Sequence, residues 1–262
     1  MSGTPGLLGN HAAVTGGGSG IGAATALALA RQGARVTVLG RRAGRLDAVA
    51  GAILGAGGTA AAETLEVTEP AAVAAAFASA AARLGPIGIL VNSAGNAESA
   101  PFAKTSADLF ERMLRVNLTG AFLCTQATLP GMLAAGSGRI VNVASTAALR
   151  GYAYVTAYCA AKHGLLGMTR ALALETAKSG VTVNAVCPGY TETELLERAV
   201  GTIVAKTGRS AEDARAGLAA TNPMGRLVTP EEVAATILFL CTPAADAITG
   251  QALAVAGGEV MA

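Results

Sequence analysis

Short apolar runs alternate with helical patterns along this 262-residue chain, and this alternation restricts its fold more than any other feature. Continuous runs of Val, Ile, Leu and Ala predict strands buried on both faces, at residues 12–15, 35–39, 59–65, 87–91, 139–144, 181–186 and 252–255. Strands separated by helices in this way form parallel β-α-β units. The sequence therefore predicts an α/β fold, a doubly wound parallel sheet of the Rossmann type with helices on both faces.

One segment, residues 192–222, departs from the alternation and carries much of the local charge. Two short helices fit it, and because long inserts often cover an active site we expect a substrate lid, with a solvated surface excursion as the alternative. No Pro- or Ser-rich linker divides the chain, so residues 1–262 are expected to form a single domain. A long helical pattern at residues 106–135 contains Pro130, which predicts a kink or a break there.

Charged residues make up only 14% of the chain and the net charge is +2, whereas hydrophobic residues make up 52%. This composition excludes a disordered chain, which needs low hydrophobicity and high net charge. It also excludes a nucleic-acid-binding protein that relies on a strongly basic surface. The apolar excess favours burial between subunits of an oligomer, with a simple alanine-rich bias as the alternative.

Targeting and metal-binding signals are weak in this sequence. Residues 1–30 contain no Lys, Arg, Asp or Glu, which does not fit the charged start of a signal peptide. The charge-free run at residues 116–138 includes Asn117 and Pro130, so we expect no membrane span and a cytoplasmic protein. The cysteines lack metal-ligand spacing and the chain has only 2 histidines, so we expect no metal site.

A glycine-rich segment, residues 15–22, lies between the first predicted strand and the first predicted helix. In a dinucleotide site, Gly16 would permit the tight turn, Gly20 would let the backbone approach a pyrophosphate, and Gly22 would let helix and strand pack closely. The helix N-terminus would offer its N–H groups to the phosphates. Glycine also serves ordinary turns, so the position between strand and helix is what favours a nucleotide site.

Two arginines, Arg41 and Arg42, follow the second predicted strand, where NAD-binding proteins have an acid for the ribose 2′-hydroxyl. An acid would repel a 2′-phosphate, whereas a guanidinium can bind one through two hydrogen bonds. The pair therefore favours NADP(H), with NAD(H) as the alternative cofactor. Arg41 is the first candidate and Arg42 is expected to point outward, unless both belong to the solvated face of the next helix.

Tyr158 and Lys162 are four residues apart, so on a helix they share one face. Ser145 follows the strand at residues 139–144, at the sheet edge where such folds bind ligands. A tyrosine titrates near 10, and a shift of three units towards neutrality needs about 4 kcal/mol, which a lysine and a nicotinamide cation could share. Such a tyrosine would exchange a proton with a carbonyl oxygen during hydride transfer. An exposed helix face is the alternative for this pair.

Further motifs follow in order: Asn92-Ser-Ala-Gly95, Asn117, Ser145, Tyr158-x-x-x-Lys162 and Pro188-Gly189. With the glycine-rich segment they resemble the short-chain dehydrogenase/reductase family over essentially the whole chain. The resemblance implies four catalytic residues: Asn117, Ser145, Tyr158 and Lys162. Tyr158 would be the proton donor, Ser145 would bind the substrate oxygen, Lys162 would bind the nicotinamide ribose, and Asn117 would hold a relay water. The expected cofactor contacts are Gly16, Ser19, Gly20, Ile21, Gly22, Arg41, Arg42, Glu66, Val67, Asn92, Ala94, Gly95, Tyr158, Lys162, Pro188, Gly189, Thr191 and Thr193.

Some positions depart from the family pattern, among them Gly88 and Ala256, which stand where acids are frequent and do not touch the proposed chemistry. Ser93 replaces the second Asn of the usual Asn-Asn-Ala-Gly, where we expect only a small structural effect. Glu66-Val67 stands where the family usually has Asp-Val beside the adenine, so the longer acid makes that contact less certain.

Residues 139–146, 160–165 and 183–190 are similar to those of polyketide ketoreductases, of 3-oxoacyl-thioester reductases and of acyl-CoA alcohol dehydrogenases. The resemblance implies an NADPH-dependent carbonyl reductase for a 3-oxoacyl thioester or a polyketide-like ketone, free or linked to CoA or a carrier protein. The alternative is an alcohol dehydrogenase for a hydroxyacyl-CoA, a cyclic alcohol or a polyol, and a more remote one is an inactive nucleotide-binding scaffold. A homotetramer is also expected by resemblance.

Overall fold

The computed structural model describes residues 6–261. Its strands are β1 His11–Thr15, β2 Arg35–Gly40, β3 Thr59–Thr64, β4 Ile87–Asn92, β5 Gly138–Val143, β6 Val181–Pro188 and β7 Ala252–Val255. They form one parallel sheet in the order β3-β2-β1-β4-β5-β6-β7. The predicted doubly wound parallel sheet is confirmed.

Helices cover both faces of this sheet. Their bounds are α1 Gly20–Arg31, α2 Ala43–Gly55, α3 Pro70–Leu84, α4 Ala107–Leu114, α5 Gly120–Ala135, α6 Thr156–Thr176, α7 Glu194–Thr207, α8 Ala211–Ala219 and α9 Pro230–Cys241. One face packs on α1, α2 and α9 through residues such as Leu29, Ile53 and Ile237. The other packs on α3 and α5 through Phe77 and Met132. Each such side chain contributes about 1.5–3 kcal/mol by burial.

The helical stretch Ala107–Ala135 is long and apolar enough to cross a membrane by length and composition alone. A π-helical turn, Arg115–Thr119, separates α4 from α5 and places Asn117 in the interior. Because Cys124 and Met132 of α5 are buried against the sheet, we assign this stretch to the helical layer of the fold.

Of the kink or break predicted at Pro130, the break is excluded, because α5 continues through Pro130 to Ala135. Pro130 removes the N–H that would bond the carbonyl of Gln126. Gln126 and Pro130 are both exposed residues of α5, so water can replace the missing bond at small cost.

The segment at residues 192–222 contains α7 and α8, so the predicted pair of short helices is confirmed. Leu196 and Val200 of α7 are buried against Ala214 of α8 and Leu227. This small apolar cluster distinguishes the segment from a solvated surface excursion. It holds α7 and α8 together as one unit beside the carboxyl ends of the strands.

The order in which successive strands are added to the sheet reverses at β1, which has β2 on one side and β4 on the other. A crevice forms at such a point, outside the carboxyl ends of the strands. Thr15 at the end of β1 and Asn92 at the end of β4 flank it. The loops that follow β5 and β6 reach the same edge of the sheet.

Candidate active site

The turn after β1 is locked to the end of β4. Gly16 has φ +66°, and a Cβ there would lie 2.9 Å from the backbone nitrogen of Ala94. The hydroxyl oxygen of Thr15 accepts hydrogen bonds from the backbone N–H of Ser93 (3.1 Å) and of Ala94 (3.2 Å). Glycine is therefore required at position 16 by backbone conformation and by close approach. Ser93 takes part only through its backbone in these bonds.

The start of α1 follows the glycine-rich turn at the carboxyl end of β1. No acid occupies its first turn, and the side chain of Ser19 does not cap the helix. A Cβ on Gly22 would overlap the carbonyl oxygen of Gly16, and one on Gly20 would lie 3.0 Å from Cγ2 of Thr193. Ile21 packs against the core beneath the turn. The turn thus has the shape and the polarity of an anion cradle.

The arginines after β2 lie differently from the sequence-based expectation. Arg42 does not point outward, because its Nη2 donates to Oγ of Ser19 (3.2 Å) and its Nη1 donates to Oε2 of Glu194 (3.1 Å). Arg45 also pairs with Glu194. Arg41 is 75% exposed and its Nη1 lies 3.7 Å from Oε2 of Glu66.

The residues after β3 lie on the wall of the crevice. Oε1 of Glu66 accepts hydrogen bonds from the backbone N–H and the hydroxyl of Thr68 (3.3 and 3.2 Å). Val67 is buried against Gly120, where a Cβ would lie 2.7 Å from Cγ2 of Val67. Val67 therefore fixes the beginning of α5 as well as this wall.

The side chain of Asn92 is directed into the interior rather than into the crevice. Its amide donates to Oδ1 of Asn142 (2.9 Å) and to Oγ1 of Thr125 (3.1 Å). Asn92 thus joins β4 to β5 and α5, and only its backbone is available to a ligand. Ala94 and Gly95 continue the loop along the crevice.

Asn117 holds the loop after β4 in place. Its Nδ2 donates to the carbonyl oxygen of Asn96 (2.8 Å) and of Met113 (3.1 Å), and its Oδ1 accepts from the N–H of Asn96 (3.3 Å). A Cβ on Gly95 would lie 2.8 Å from Oδ1 of Asn117 and 3.7 Å from Nζ of Lys162. Asn117 and Lys162 therefore both approach Gly95 on the side where a Cβ would lie.

Ser145, Tyr158 and Lys162 meet at the carboxyl end of β5. Oγ of Ser145 accepts from the N–H of Ala147 (3.1 Å), which fixes the loop, and Ser145 lies close enough to Tyr158 to act on its pKa. Nζ of Lys162 donates to the carbonyl oxygen of Val143 (2.8 Å) and lies 5.6 Å from the ring centre of Tyr158. The alternative of an exposed helix face is excluded, because Lys162 is buried.

In the protein without bound cofactor, desolvation sets the pKa values of Tyr158 and Lys162. Desolvation in the crevice raises the pKa of Tyr158 to about 12, against the opposing hydrogen bond with Ser145. Desolvation likewise lowers the pKa of Lys162 to about 8. The lysine does not offset the desolvation of the phenol, because its amine is bonded to Val143 instead of to the tyrosine oxygen. Tyr158 therefore keeps its proton in the protein alone.

The loop after β6 closes the crevice opposite the glycine-rich turn. The N–H of Gly189 donates to the carbonyl oxygen of Val255 (3.1 Å), which ties the Pro188-Gly189 corner to β7. Oγ1 of Thr191 donates to the carbonyl oxygen of Gly189 (3.0 Å), and Oγ1 of Thr193 donates to that of Thr191 (3.2 Å). Thr193 then leads directly into α7.

Comparison with known proteins identifies the family. Residues 10–202 match the model of a protein family described as short chain dehydrogenase. The chain belongs to the short-chain dehydrogenase family. The predicted family and the expected oxidoreductase class are confirmed by this match and by the relatives described next.

Relatives of this short-chain dehydrogenase include both reductases and dehydrogenases. A protein of Streptomyces violaceoruber, named as a ketoacyl reductase of the granaticin polyketide synthase, is 40% identical over 258 residues, with 97% of this chain and 95% of the relative covered. The cis-4-hydroxycyclohexanecarboxylate dehydrogenase of Sinomonas cyclohexanicum is 45% identical over 248 residues, with 94% and 95% covered. A crystal structure of a variant actinorhodin polyketide ketoreductase with NADPH superposes with a TM-score of 0.92, at 39% identity, with 95% and 97% covered.

One polar cluster at the site of this short-chain dehydrogenase was missed by sequence reasoning. The hydroxyl of Tyr152 lies 2.5 Å from Oε1 of Glu259 and 2.8 Å from Oγ1 of Thr146. Because Tyr152 has one proton, it donates to the carboxylate and accepts from Thr146. Desolvation and the bond to Glu259 raise the pKa of Tyr152. The cluster thus joins the C-terminal segment to the loop that follows Ser145.

Glu259 also reaches the corner after β6. Its Oε2 is buried and has no hydrogen-bond partner among the described residues, and a Cβ on Gly189 would lie 2.9 Å from it. Arg150 stacks over the ring of Tyr152 at 4.9 Å. No sequence signal marks Glu259, because it meets Tyr152 only through the fold.

Proposed function

We propose that this short-chain dehydrogenase is an NADP(H)-dependent carbonyl reductase, with Tyr158 as the proton donor to the ketone oxygen. The observation that carries the proposal is the meeting of Ser145, Tyr158 and Lys162 at the carboxyl end of β5. Desolvation keeps Tyr158 protonated, which suits a residue that must give a proton. An inactive nucleotide-binding scaffold would not require these three side chains to lie together, so the arrangement favours an enzyme.

Each residue then has a distinct task. Bound reduced cofactor supplies the hydride. Tyr158 protonates the ketone oxygen as negative charge develops there, and Ser145 donates a hydrogen bond to the same oxygen. Lys162, fixed by Val143, places a positive charge near the phenol and binds the nicotinamide ribose. Asn117 keeps the loop around Gly95 in position and is proposed to hold the relay water.

The glycine-rich turn fits a dinucleotide. The N-terminus of α1 is free of acids, and Gly16 and Gly20 leave room where a Cβ would collide with Ala94 or Thr193. The pyrophosphate would bind the N–H groups of this turn, and the nicotinamide end would lie between Gly95 and the loop from Pro188 to Thr193. Arg41, Arg42 and the neighbouring Arg45 favour a 2′-phosphate, and the similar ketoreductase structure was determined with NADPH. NAD(H) remains the alternative cofactor.

The proposed substrate is a 3-oxoacyl thioester or a polyketide-like ketone. Support comes from the similarity to ketoreductases and from two cations of α7 that face the loop after β4. Arg198 donates to Oδ1 of Asn96 (3.3 Å), and Nζ of Lys206 lies 3.5 Å from the carbonyl oxygen of Ser99. These side chains are suited to the phosphate of CoA or of a carrier-protein arm, with residues 192–222 acting as the lid.

A second function is supported by the dehydrogenase relatives. In it the same residues oxidise a hydroxyacyl-CoA, a cyclic alcohol or a polyol, as expected from the similarity to a hydroxycyclohexanecarboxylate dehydrogenase. The two functions share Ser145, Tyr158 and Lys162. They differ in direction and in substrate, so kinetics will distinguish them.

The test is the initial rate of cofactor oxidation with acetoacetyl-CoA, measured in parallel with NADPH and with NADH. A fast rate with NADPH that is lost in Tyr158→Phe is the expected result. A rate only with NADH would refute the NADP(H) assignment. Turnover of cyclohexanol with NADP⁺ or NAD⁺, without any reduction of acetoacetyl-CoA, would favour the second function.

We further propose that the chain works as a single domain in a cytoplasmic homotetramer. Exposed apolar side chains on α5 and α6, including Phe122 and Leu174, support contacts between subunits. Light scattering after size-exclusion chromatography tests the subunit number. A monomer at micromolar concentration would contradict the tetramer.

A further inference from the structure

Glu194, the first residue of α7, lies against the arginines that follow β2. Its Oε2 accepts from Nη1 of Arg42 (3.1 Å), and its Oε1 pairs with Arg45. Nη2 of Arg42 donates a hydrogen bond to Oγ of Ser19, in the glycine-rich turn. A carboxylate from the lid segment therefore stands between the two guanidinium groups and beside the phosphate cradle.

This position matches the chemistry of a ribose 2′-phosphate. An anion with two or more oxygens bridges two guanidinium groups, as phosphates and carboxylates both do. Arg41 has a separate acidic partner, Glu66, at 3.7 Å. Each of the three arginines after β2 is therefore already paired with an acid in the protein alone.

The Glu194 pairs are suited to exchange. The side chains of Glu194, Arg42 and Arg45 are 42%, 54% and 47% exposed, and such ion pairs add little to stability. The adjoining cavity, of about 750 Å³, is lined by Gly18, Ser19, Gly20, Arg45 and Glu194 among others. The carboxylate has room to leave when another anion arrives.

We propose that Glu194 occupies the place of the 2′-phosphate in the cofactor-free protein and sets the selectivity between NADP(H) and NAD(H). NADPH must displace Glu194 from Arg42 and Arg45, whereas NADH leaves those pairs intact. Glu194 thus lowers the affinity for NADPH and leaves the affinity for NADH unchanged. The inference rests on the proposed function only in its choice of cofactor class.

The displacement also changes the attachment of the lid segment. Thr193 packs on Gly20, and Glu194 is the next residue, so the beginning of α7 is held to the glycine-rich turn by Thr193 and to Arg42 by Glu194. With NADPH bound the ionic contact is lost, and with NADH it is kept. The N-terminal turn of α7 should therefore exchange its amide hydrogens faster in the NADPH complex than in the NADH complex.

The experiment measures dissociation constants for NADPH and NADH from the fluorescence of the reduced cofactor. The test variant is Glu194→Gln, which keeps the shape and removes the charge. The matched control is Glu197→Gln, which makes the same charge change on the same helix, where the native acid pairs with Arg215. Glu194→Gln should bind NADPH about three- to tenfold more tightly, with NADH affinity changed less than about twofold. Glu197→Gln should not alter the ratio of the two constants.

Three results would overturn the inference. The ratio of the two constants stays at its wild-type value in Glu194→Gln, or it changes equally in Glu197→Gln, or hydrogen exchange in α7 is the same with either cofactor. In each case wild-type binding of NADPH still supports the proposed function. If the wild-type protein, folded by circular dichroism, binds no NADPH, the proposed function fails together with the inference. NADH binding serves as the internal control for folding of both variants.

Discussion

The amine of Lys162 donates a 2.8 Å hydrogen bond to the carbonyl oxygen of Val143, the last residue of β5. This bond fixes α6 directly below the loop that carries Ser145. The helix that holds the proposed proton donor and the strand that leads to its hydroxyl partner are thus joined by one buried side chain. Both pKa values at the site follow from this enclosure.

The first prediction concerns the pH dependence of ketone reduction. Desolvation lowers the pKa of Lys162 to about 8 and raises that of Tyr158 to about 12. Reduction requires a protonated tyrosine and a charged lysine, so kcat/KM should be constant below pH 8 and fall as the pH rises through about 8. In Lys162→Arg the charge does not titrate in this range, and the residual activity should lose that step. Activity that rises from pH 7 to 9 would contradict this assignment.

The second prediction concerns the bond between Tyr152 and Glu259. Tyr152→Phe leaves a carboxylate oxygen without its donor, so the free energy of unfolding should fall by about 1–3 kcal/mol. Urea denaturation of Tyr152→Phe, Glu259→Gln and the double variant forms a double-mutant cycle. A coupling of more than about 0.5 kcal/mol is expected for residues in contact. Additive effects of the two changes would show that the bond does not contribute.

The third prediction concerns His11, which is buried at the amino end of β1. Its Nδ1 bonds the carbonyl oxygen of Gly85 (2.7 Å), and its Nε2 bonds the hydroxyl of Thr37 (2.8 Å). Burial lowers the pKa of His11 from its usual 6.5, with a smaller contribution from Arg35 in the same direction. Below pH 6.5 the unfolded chain takes up a proton that the folded protein does not. The free energy of unfolding should therefore fall on acidification, by at most about 1.4 kcal/mol per pH unit.

Denaturation at pH 7.5, 6.0 and 5.0 measures this dependence, and His11→Gln should reduce it. The matched control is His163→Gln on the exposed side of α6, which should keep the wild-type dependence. An unchanged dependence in His11→Gln would assign the effect to other groups.

The fourth prediction compares two glycines in helices. Gly22→Ala places a methyl group on the carbonyl oxygen of Gly16, so it should lower the free energy of unfolding by about 1–3 kcal/mol and weaken dinucleotide binding. Gly51 in α2 has no atom within 4 Å of the added Cβ, so Gly51→Ala should raise stability by up to about 1 kcal/mol. Thermal unfolding of both variants gives the comparison. Equal effects would mean that contact with Gly16 does not restrict position 22.

Much of the fold is predictable because strands buried on both faces have a simple sequence pattern. The run Ile87–Val91 of β4 is continuous and lacks charged or polar side chains, and helical patterns precede and follow it in the sequence. The π-helical turn at Arg115–Thr119 has no such pattern, since its cause is the packing of Asn117 against a loop some 20 residues away. Pro130 does not break α5, since it lies on the exposed side of the helix, where water can replace the lost hydrogen bond.

The candidate site was predictable where spacing alone brings residues together. Tyr158 and Lys162 share a helix face, and Ser145 follows a strand, so their proximity follows from the fold class. Glu194 and Glu259 reach the site from distant parts of the chain, and no local pattern marks either acid. In the protein without cofactor, desolvation raises the pKa of Tyr158, an effect that only the three-dimensional structure shows.

The crevice is formed by residues that are far apart in the sequence. Gly16 and Gly20 belong to the first turn of the chain, whereas Thr193, which packs on Gly20, follows β6. Because a domain generally folds as a unit, the crevice is complete only after β6 and the loop that follows it have been synthesised. A nucleotide that needs both walls can therefore bind only after that point. A cellular supply of cofactor would therefore stabilise the folded protein against unfolding without assisting its initial folding.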